Sequence, residues 1–587
     1  MNRGLVLVGL VFLALFVWFS VFDASVDVGE VRHVDGGGFV VDFTAEKPEA
    51  EIRILADNQI RSLAVDGIVV YVFNSSSERN VYYPVRYDFE FDFGRPGKHQ
   101  AMILLDGGEG VVELSSAPHF FTNYLLLAGF FLLFFGLAPR RFIGDLSEWT
   151  VCLFVLFIYF ISSGYITHSN DGSHFALVSA IVEKHSVAIN DYMGYTWGVD
   201  YSIKDGSYYS DRTPGTAFLA LPFYIFGKIM ESSGLTHLFS PSANIKEVTV
   251  LLLPNIAGAA TVYLVYIVLI TLGLRKRTAL LSSAVFAFST LVWFESTHLM
   301  SHAISSALVM AAFYVSFRAK KMESAEVIFL SGLLAYASIV EIQNIIFIPL
   351  FAGYLLMSKR ISIQRNARGI VGAVLVFAAI YSLLIGYNFA AFGEFTVKSN
   401  RYNPNFPEEK TFASSLSGNP VSGVFRLLVG SDISLAWDYS RGTKNNIPGI
   451  LIVSPIYILG IMGLKRLYGR YKLETLLLAG VVAAEIFVVS LHKTVLTRHI
   501  ATVYPLLFLP AAYYIEDAVR GLSRRNYFPA AIVALLAIAS VTRVFYSINT
   551  YWGRDLWYPT PYIDELPTFM VFFGIIYLTY KLARKGR

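Results

Sequence analysis

The sequence predicts an all-α polytopic membrane protein of about 14 transmembrane helices, with an extracytoplasmic β-sandwich near its N-terminus. Three observations predict this fold class. The 587 residues are 55% hydrophobic and 15% charged, with a mean hydropathy of +0.54, which is too apolar for a water-soluble protein of this length. Long apolar stretches recur along the chain, with Lys and Arg clusters at alternate ends. Residues 24–118 instead contain short alternating runs that are typical of strands.

The apolar stretches have the length that a membrane span requires, which is roughly 20 residues. They lie at 4–22, 120–137, 148–166, 248–273, 279–295, 299–317, 325–340, 344–358, 369–388, 447–464, 474–491, 500–516, 527–543 and 567–582. The stretches at 325–340 and 344–358 are short, so a re-entrant hairpin is an alternative for that pair. Residues 1–23 are expected to form an uncleaved anchor rather than a signal peptide, because no small-residue cleavage site follows them.

Basic clusters indicate which helix ends face the cytoplasm. They comprise Arg140 and Arg141, Arg275 to Arg277, Arg318 to Lys321, Lys359 and Arg360, Lys465 to Lys472, Arg520 to Arg525, and Lys581 to Arg587. If the apolar stretch 214–230 crossed the bilayer, the basic cluster Arg275 to Arg277 would lie outside the cell. We therefore expect that stretch to lie at the outer interface instead. The loops rich in His, Asp, Tyr and Trp then share the outer face of the cell membrane.

Residues 24–118 are expected to form the β-sandwich. Their runs FVVDFTA, AEIRILA, IVVYVF, YDFEFDF and AMILLDG are separated by Gly, Pro, Asn and Asp turns. The pattern resembles galactose-binding-like jelly rolls, which leaves a glycan-binding module and a structural spacer as alternatives. Asn74 begins a glycosylation tripeptide. The lone cysteine, Cys152, falls in an apolar stretch, so we expect no disulfide in the exported domain.

The stretch HSNDGSHF at 168–175 directly follows an apolar stretch. Either it is an ordinary solvated loop or it serves a function at the membrane surface. Apolar residues recur at helical spacing after Asp171, which predicts an amphipathic helix along the outer surface with an exposed Asp171 in its capping region. That arrangement would hold a carboxylate at the height of the lipid head groups.

Five segments resemble, in order, signatures of the GT-C glycosyltransferases, the membrane enzymes that take a sugar from a polyprenyl-phosphate carrier. They are DGSHFALVSAIVEKHSVAIND, DGSYYSDRTPGTAFLALPFYIFG, NFAAFGEFTVKSNRYNP, WDYSRGTKNNIPGILIVSPIYILG and LTRHIATVYPLLFLPAA. The resemblance is to the prokaryotic branch, similar to dolichyl-phosphate-mannose-protein mannosyltransferases. It implies a GT-C-like transferase domain at 119–587 and a polyprenyl-phosphate sugar donor embedded in membrane lipid. The acceptor would be a glycan, a lipid, a protein or a wall polymer.

The resemblance also implies residue roles. Asp171 matches the family's first-loop aspartate, which is a general base, or a metal ligand if the enzyme uses Mg²⁺ or Mn²⁺. Asp211 and Arg212 resemble the acidic-basic active-site pair of the lipid A aminoarabinose transferases, which makes Asp211 a second catalytic candidate and places Arg212 on the donor phosphate. Arg498 is a further phosphate candidate, since guanidinium groups bind phosphate oxygens in pairs, and Lys204 is a weaker second to Arg212. Snorkelling at the interface is the alternative for the arginines.

Several other polar residues of the outer segments are candidates for binding the acceptor or the sugar. They are His174, His298, His302, Glu341 and His499. His298 and His302 stand four residues apart on one helical face, a spacing that also suits a metal ion, and a solvated helix end is the third interpretation. Trp437, Trp552 and Trp557 either stack on sugars or anchor the chain at the interface.

Two other functions compete with a transferase. A transporter or flippase for a lipid-linked glycan would explain the helices equally well, but it would favour inverted repeats or ionisable residues deep inside the spans. A receptor that binds glycans through its β-domain leaves the outer acidic and basic motifs unexplained. The net charge of +4 is spread over the helix flanks and does not suggest nucleic acid as a partner.

Overall fold

The protein is described from a computed structural model. It covers eight strands between residues 26 and 116, and residues 147–163, 166, 168–233, 244–318, 320–430, 449–492, 495–523 and 525–553. The predicted spans 4–22, 120–137 and 567–582 lie outside these residues, as do Asn74, Trp437, Trp557 and the side chain of Trp552. The chain divides into two compact units, Met1–Thr150 with Trp552–Leu566 and Val151–Tyr551 with Pro567–Arg587.

The first unit contains the strands. They are β1 (Val26–Val34), β2 (Gly38–Ala45), β3 (Glu49–Ala56), β4 (Ile60–Val65), β5 (Ile68–Val72), β6 (Val85–Asp92), β7 (Gly97–Leu105) and β8 (Val112–Ser116). Their pairings are antiparallel and form one sheet in the order β1-β2-β7-β4-β5 and another in the order β6-β3-β8. The predicted strands are therefore present, while their packing as a sandwich stays a prediction.

The larger sheet has one buried face, as the alternating sequence requires. On β2 the side chains of Phe39, Val41 and Phe43 are buried, and they pair in register with β7, where Ala101 and Ile103 are buried as well. A sheet with one apolar face needs a second layer over it, which is consistent with the sandwich expected at 24–118.

The second unit is helical. Its helices are α1 (Ser147–Ile161), α2 (Ser169–Lys184), α3 (Gly215–Ser232), α4 (Ile245–Thr271), α5 (Lys276–Ser289), α6 (Val292–Glu295), α7 (Ser301–Arg318), α8 (Ser324–Val340), α9 (Phe347–Met357), α10 (Ala367–Phe392), α11 (Phe412–Ser415), α12 (Pro420–Leu428), α13 (Ile450–Val453), α14 (Ile458–Arg470), α15 (Lys472–Ser490), α16 (Tyr504–Ser523) and α17 (Phe528–Gly553). The 3₁₀ turns are Asn190–Thr196, Ile342–Ile346, Ser399–Tyr402, Pro407–Lys410, Pro455–Tyr457 and Thr497–Val503.

The predicted apolar stretches within the described residues are mostly helical, but the membrane spans are confirmed only in part. Among the described residues, α4, α10 and α15 are long and apolar enough to cross a membrane, with mean hydropathies of 1.9, 2.4 and 2.0. The stretch at 447–464 is broken into shorter turns of helix. The count of 14 spans stays a prediction.

Helix packing bears on two details of the predicted topology. The short helices α8 and α9 pack on different partners. Helix α8 packs on α7 and α10, whereas α9 packs on α15, which does not favour a hairpin in which α8 and α9 pair with each other.

Helix α3 buries Ala217, Ala220 and Tyr224 and exposes Phe226 and Ile229. An apolar outer face of this kind suits the expected interfacial position at 214–230, which stays a prediction.

One prediction about the 168–191 segment was wrong. Helix α2 forms, but its residues 171–180 are all buried by surrounding protein, so this part is not amphipathic and does not lie along a surface. Asp171, expected to be exposed, has no solvent-accessible surface. In SHFALVSA the serines alternate with apolar residues, which gives the pattern of an amphipathic helix. Here, however, Ser173 and Ser179 are buried together with the apolar residues.

Candidate active site

A short hairpin carries Asp211 to the site. Strands β9 (Tyr201–Lys204) and β10 (Ser207–Ser210) are joined by Asp205 and Gly206, whose φ values of 50° and 78° correspond to the turn that Asp-Gly favours between antiparallel strands. The hydroxyl of Tyr387 on α10 donates to the carbonyl of Ser210 over 2.7 Å. The residues that follow, Asp211 and Arg212, are therefore held by both the hairpin and helix α10.

Asp171 is fixed at the start of α2. Its Oδ1 accepts from the backbone amide of His168 over 3.0 Å and from that of Gly172 over 3.1 Å. Its Oδ2 is buried and has no hydrogen-bond partner among the described residues. Burial raises the pKa of Asp171 to about 8, although the two backbone amides and the charge of Arg498 oppose the rise.

Arg212 lies between two carboxylates. It contacts Asp200, and its Nε lies 3.3 Å from Oδ1 of Asp211. Burial opposes the charge on Arg212, but the two carboxylates outweigh it and raise its pKa. Ser169 on α2 donates to Asp200 over 2.5 Å. The guanidinium is thus largely neutralised by its own neighbours, although 32% of its side chain remains exposed.

Asp211 is buried and held from two other directions. Its Oδ2 accepts from Asn403 over 2.8 Å, and Ser173 on α2 lies 3.5 Å from its Oδ1. Burial raises the pKa of Asp211 to about 6, with Arg212 opposing the rise and Asp200 adding to it. Ser173 also contacts Ser210 over 2.8 Å, so α2 and the hairpin are joined beside the carboxylate.

His174 lies on α2 one turn after Asp171. Its Nε2 lies 3.2 Å from the hydroxyl of Ser301 on α7, and Nδ1 is buried with no partner among the described residues. Burial, together with the charges of Arg212 and His302, lowers the pKa of His174 to about 3. With this pKa the ring is neutral at physiological pH, so it can offer hydrogen bonds but no charge.

His302 and Glu341 form a buried pair between α7 and the end of α8. Nδ1 of His302 contacts Oε1 of Glu341. Oε2 of Glu341 accepts from Thr502 over 2.9 Å and from Gln343 over 3.2 Å. Nε2 of His302 is buried and has no partner within the described part of the chain.

Arg498 lies on the 3₁₀ turn Thr497–Val503, the turn that also supplies Thr502. Its Nη1 lies 3.9 Å from the sulfur of Met300. Its positive charge opposes the rise in the pKa of Asp171 and of Arg212. His499, the next residue, has a pKa well below the ordinary value because its ring is largely shielded from solvent and lies near Arg498 and His302. The charge of Arg498 therefore acts on residues of three segments, namely Asp171 on α2, Arg212 after the hairpin and His302 on α7.

Two predicted residues have other surroundings. His298 Nδ1 lies 2.9 Å from both the carbonyl of Phe294 and the hydroxyl of Thr297, and its ring lies 6.0 Å from that of His168. Lys204 lies 4.7 Å above the ring of Tyr402, outside the contacts that join the other candidates.

Five of the buried polar atoms that lack a hydrogen-bond partner among the described residues belong to the candidates Asp171, His174 and His302 or to Glu295, whose charge acts on His302. They are Asp171 Oδ2, His174 Nδ1, His302 Nε2 and both carboxylate oxygens of Glu295. Such atoms are costly unless a ligand or water satisfies them. Within the described residues, no group of three or more His, Cys, Asp or Glu side chains has an arrangement that would hold a metal ion.

The sequence interpretation missed three contacts of this site. Asp200 and Asn403 both hold the Asp211–Arg212 pair, and Thr502 holds Glu341. Asn403 is 192 residues from Asp211 and Thr502 is 161 from Glu341, so no local spacing indicates either contact. Asp200 lies only 12 positions before Arg212, and its position beside the hairpin was the one signal that could have identified it.

The chain is similar to two solved structures and, over part of its length, to one protein family. Two solved structures of ArnT from Cupriavidus metallidurans are similar to the chain, and each comparison covers 76% of this chain and 75% of the other. The one bound to undecaprenyl phosphate has 13% identity and a TM-score of 0.45, and the apo one has 11% and 0.44. No curated protein matches in sequence. Residues 186–387, which include Asp211, Arg212, His302 and Glu341, match the family of dolichyl-phosphate-mannose-protein mannosyltransferases, which confirms the resemblance to that family.

Proposed function

We propose that this membrane glycosyltransferase moves a sugar from a polyprenyl-phosphate carrier to an acceptor hydroxyl at the cluster around Asp171, on the extracytoplasmic face. The family match at 186–387 supports the reaction type. The contacts that join α2, the hairpin and the end of α8 support the location, since they bring candidates from distant parts of the sequence together.

The observation that carries this proposal is the state of the Asp171 carboxylate. One oxygen is fixed by two backbone amides, while the other is buried and has no partner among the described residues. A carboxylate held in this way is oriented and has one oxygen left for a substrate. A pKa of about 8 makes it a strong base for its type once it is ionised.

In the proposed reaction, Asp171 takes the proton of the acceptor hydroxyl. The acceptor oxygen bonds to the anomeric carbon of the sugar, the bond from that carbon to the phosphate oxygen breaks, and its electron pair leaves with polyprenyl phosphate. Asp211, which is buried and hydrogen-bonded to Asn403, is proposed to fix Arg212 and the hairpin rather than to exchange a proton.

Arg498 is the proposed main contact of the donor phosphate, with Arg212 as a second cation. Arg212 already faces two carboxylates, so an incoming phosphate has to compete with them. The charge of Arg498 acts on Asp171, which would bring the phosphate and the base to the same sugar. Guanidinium groups suit this contact because they donate two parallel hydrogen bonds to phosphate oxygens.

The test is transfer from defined donors. The purified protein in lipid is incubated with a panel of polyprenyl-phosphate monosaccharides and acceptors, and released polyprenyl phosphate and glycosylated acceptor are measured together. Release of both in equal amounts supports the proposal. A protein that moves an intact lipid-linked glycan across the bilayer and releases no polyprenyl phosphate would instead be a flippase.

A further inference from the structure

We propose that His302 is the general acid that protonates the departing phosphate, and that Glu341 is the positioning residue that orients its ring. This inference rests on the proposed function and deepens it, because it adds a second proton transfer at the opposite end of the reacting bond. It starts from the buried pair of His302 and Glu341, to which the proposed function assigns no role.

The geometry of the pair is that of an oriented acid or base. Nδ1 of His302 faces the Glu341 carboxylate, and the other oxygen of that carboxylate is held by Thr502 and Gln343. A carboxylate on one ring nitrogen fixes the tautomer and the ring plane and stabilises positive charge on the ring. The remaining nitrogen, Nε2, is buried and has no partner among the described residues, so it is the atom left to face a substrate.

The surroundings of His302 favour the phosphate side of the reaction. The 3₁₀ turn that carries Arg498 also carries Thr502, which donates to Glu341. The ring of His499 on the same turn lies 6.1 Å from that of His302. A phosphate held by Arg498 would therefore come to the side of the cluster where His302 lies, whereas Asp171 approaches from α2.

The charges facing His302 suit a proton donor. Burial disfavours a charge on the ring, but the carboxylates of Glu341 and Glu295 favour the protonated form, while Arg498 opposes it. The negative charge of the donor phosphate offsets Arg498 when it binds. The protonated ring is then stabilised in the complex in which its proton is needed.

The proposed step balances in atoms and charge. The bond between the anomeric carbon and the phosphate oxygen breaks, and its electron pair goes to that oxygen. The Nε2 proton of His302 is transferred to the same phosphate group, so polyprenyl phosphate leaves as a monoanion rather than a dianion. Asp171 holds the acceptor's proton, and proton exchange with water afterwards restores both residues.

The experiment varies the basicity of the leaving phosphonate, and with it the dependence of the transfer rate on a proton donor. Two donors carry the sugar that the wild-type protein accepts, but the oxygen between the prenyl chain and phosphorus is replaced by CH₂ in one and by CF₂ in the other. The CF₂ group withdraws electrons, so its phosphonate is a weaker base and leaves more readily without proton transfer. Single-turnover rates are measured for the wild type, His302→Gln and Glu341→Gln.

We expect His302→Gln to lower the rate on the CH₂ donor by about 100-fold or more, the usual range for a lost acid. The loss on the CF₂ donor should be at least about tenfold smaller, because that leaving group depends less on the acid. Glu341→Gln should show the same bias with a smaller total loss. His298→Gln is the matched control, and it should lower both rates by one common factor if it lowers them at all.

Equal losses on the two donors in both His302→Gln and Glu341→Gln would overturn the acid role and leave His302 a structural residue. If His302→Gln does not fold, as judged by thermal unfolding, Glu341→Gln carries the test by itself. A wild-type protein that transfers sugar from no polyprenyl-phosphate donor would overturn the proposed function instead, so the two failures are distinguishable.

Discussion

The backbone of Gly172 lies directly against the carbonyl group of Tyr195. A Cβ atom at Gly172 would lie 1.8 Å from the carbonyl oxygen of Tyr195, far inside van der Waals contact. Tyr195 is itself held by a hydrogen bond of 2.9 Å from its hydroxyl to Glu247 at the start of α4. The residue next to Asp171 therefore fixes how closely α2 approaches the 190–196 turn.

Gly172→Ala should displace the start of α2 and move Asp171. We expect a loss of transfer rate of about 100-fold, since a shift of about 1 Å at a reacting group has that effect. Sugar transfer and thermal unfolding would be measured together. Gly386→Ala in α10 is the matched control, because a Cβ there meets no atom within 4 Å and alanine favours a helix. Equal activity in the two variants would mean that the contact with Tyr195 is easily relaxed.

Arg498→Gln should weaken donor use more selectively than Arg212→Gln. Arg212 separates two carboxylates, so its loss leaves Asp200 and Asp211 facing each other and should lower the unfolding temperature as well as activity. Arg498 is expected to affect mainly the dissociation constant for polyprenyl phosphate, measured directly on the reconstituted protein. Lys at position 498 should restore binding only in part, since it cannot form the bidentate contact. Unchanged binding in Arg498→Gln would make that arginine an interface anchor.

The membrane orientation can be tested with two exposed positions. Phe395 follows α10 on the predicted outer side and is 81% exposed, while Gly469 lies in the last turn of α14 on the predicted cytoplasmic side. In a Cys152→Ser background, Phe395→Cys should react with a membrane-impermeant thiol reagent in intact cells, and Gly469→Cys should react only after lysis. The reverse pattern would move the whole cluster to the cytoplasmic face.

The sequence predicted the elements of this protein better than their surroundings. Strands and apolar helices follow from residue periodicity, which depends on neighbours within a few positions. Burial of α2 does not, because it depends on partners such as Tyr195, Ser210 and Ser301 that become neighbours only after folding. This is why Asp171 was predicted on a helix of the right extent but with an exposed side chain.

The candidate site shows the same division. Asp211 and Arg212 were recognisable because they are adjacent and stand in one short motif, and the structure keeps them in contact. Lys204 was chosen for its charge, but the hairpin turns between it and Asp211, and its side chain lies over Tyr402. The link between His302 and Glu341 spans 39 residues and two helices, so each residue was predicted without its partner.

The rate of transfer should rise with pH as Asp171 loses its proton. A general base acts in its ionised form, and burial raises the pKa of Asp171 to about 8, so the limb of kcat/KM that Asp171 sets should rise between pH 6 and pH 8.5 in the free enzyme. The proposed acid His302 must keep its proton, so the rate should fall again at the pH where that ring deprotonates. Arg498 is the charged group that favours ionisation, so Arg498→Gln should move this rise to higher pH. A wild-type rate that has already reached its plateau below pH 6 would exclude Asp171, with this pKa, as the base.

Asp171→Asn should lose about 100- to 10,000-fold in transfer rate, the usual contribution of a general base. Its stability should not fall. The folded-state pKa of about 8 lies above the ordinary value of 3.8, so the stability that the protonated form contributes is present in acid and is lost as pH rises toward 8. Asparagine resembles the neutral acid and caps helices almost as well. The variant should therefore unfold at an equal or higher temperature than the wild type, with a difference that grows between pH 6 and pH 8.5.

The control is Asp191→Asn, at a carboxylate that is 61% exposed and pairs with Lys184 over 2.9 Å. An exposed pair contributes about 0–1 kcal/mol, so this change should leave transfer and the unfolding temperature nearly unchanged at all pH values. Retained transfer in Asp171→Asn, measured with the same donor, would remove the catalytic role. A lowered unfolding temperature that does not depend on pH would show that Asp171 is ionised and structurally paired, because a protonated carboxyl replaced by an amide loses no charge. The combination of lost transfer with preserved or increased stability is what separates a base held in a buried site from an aspartate that only caps its helix.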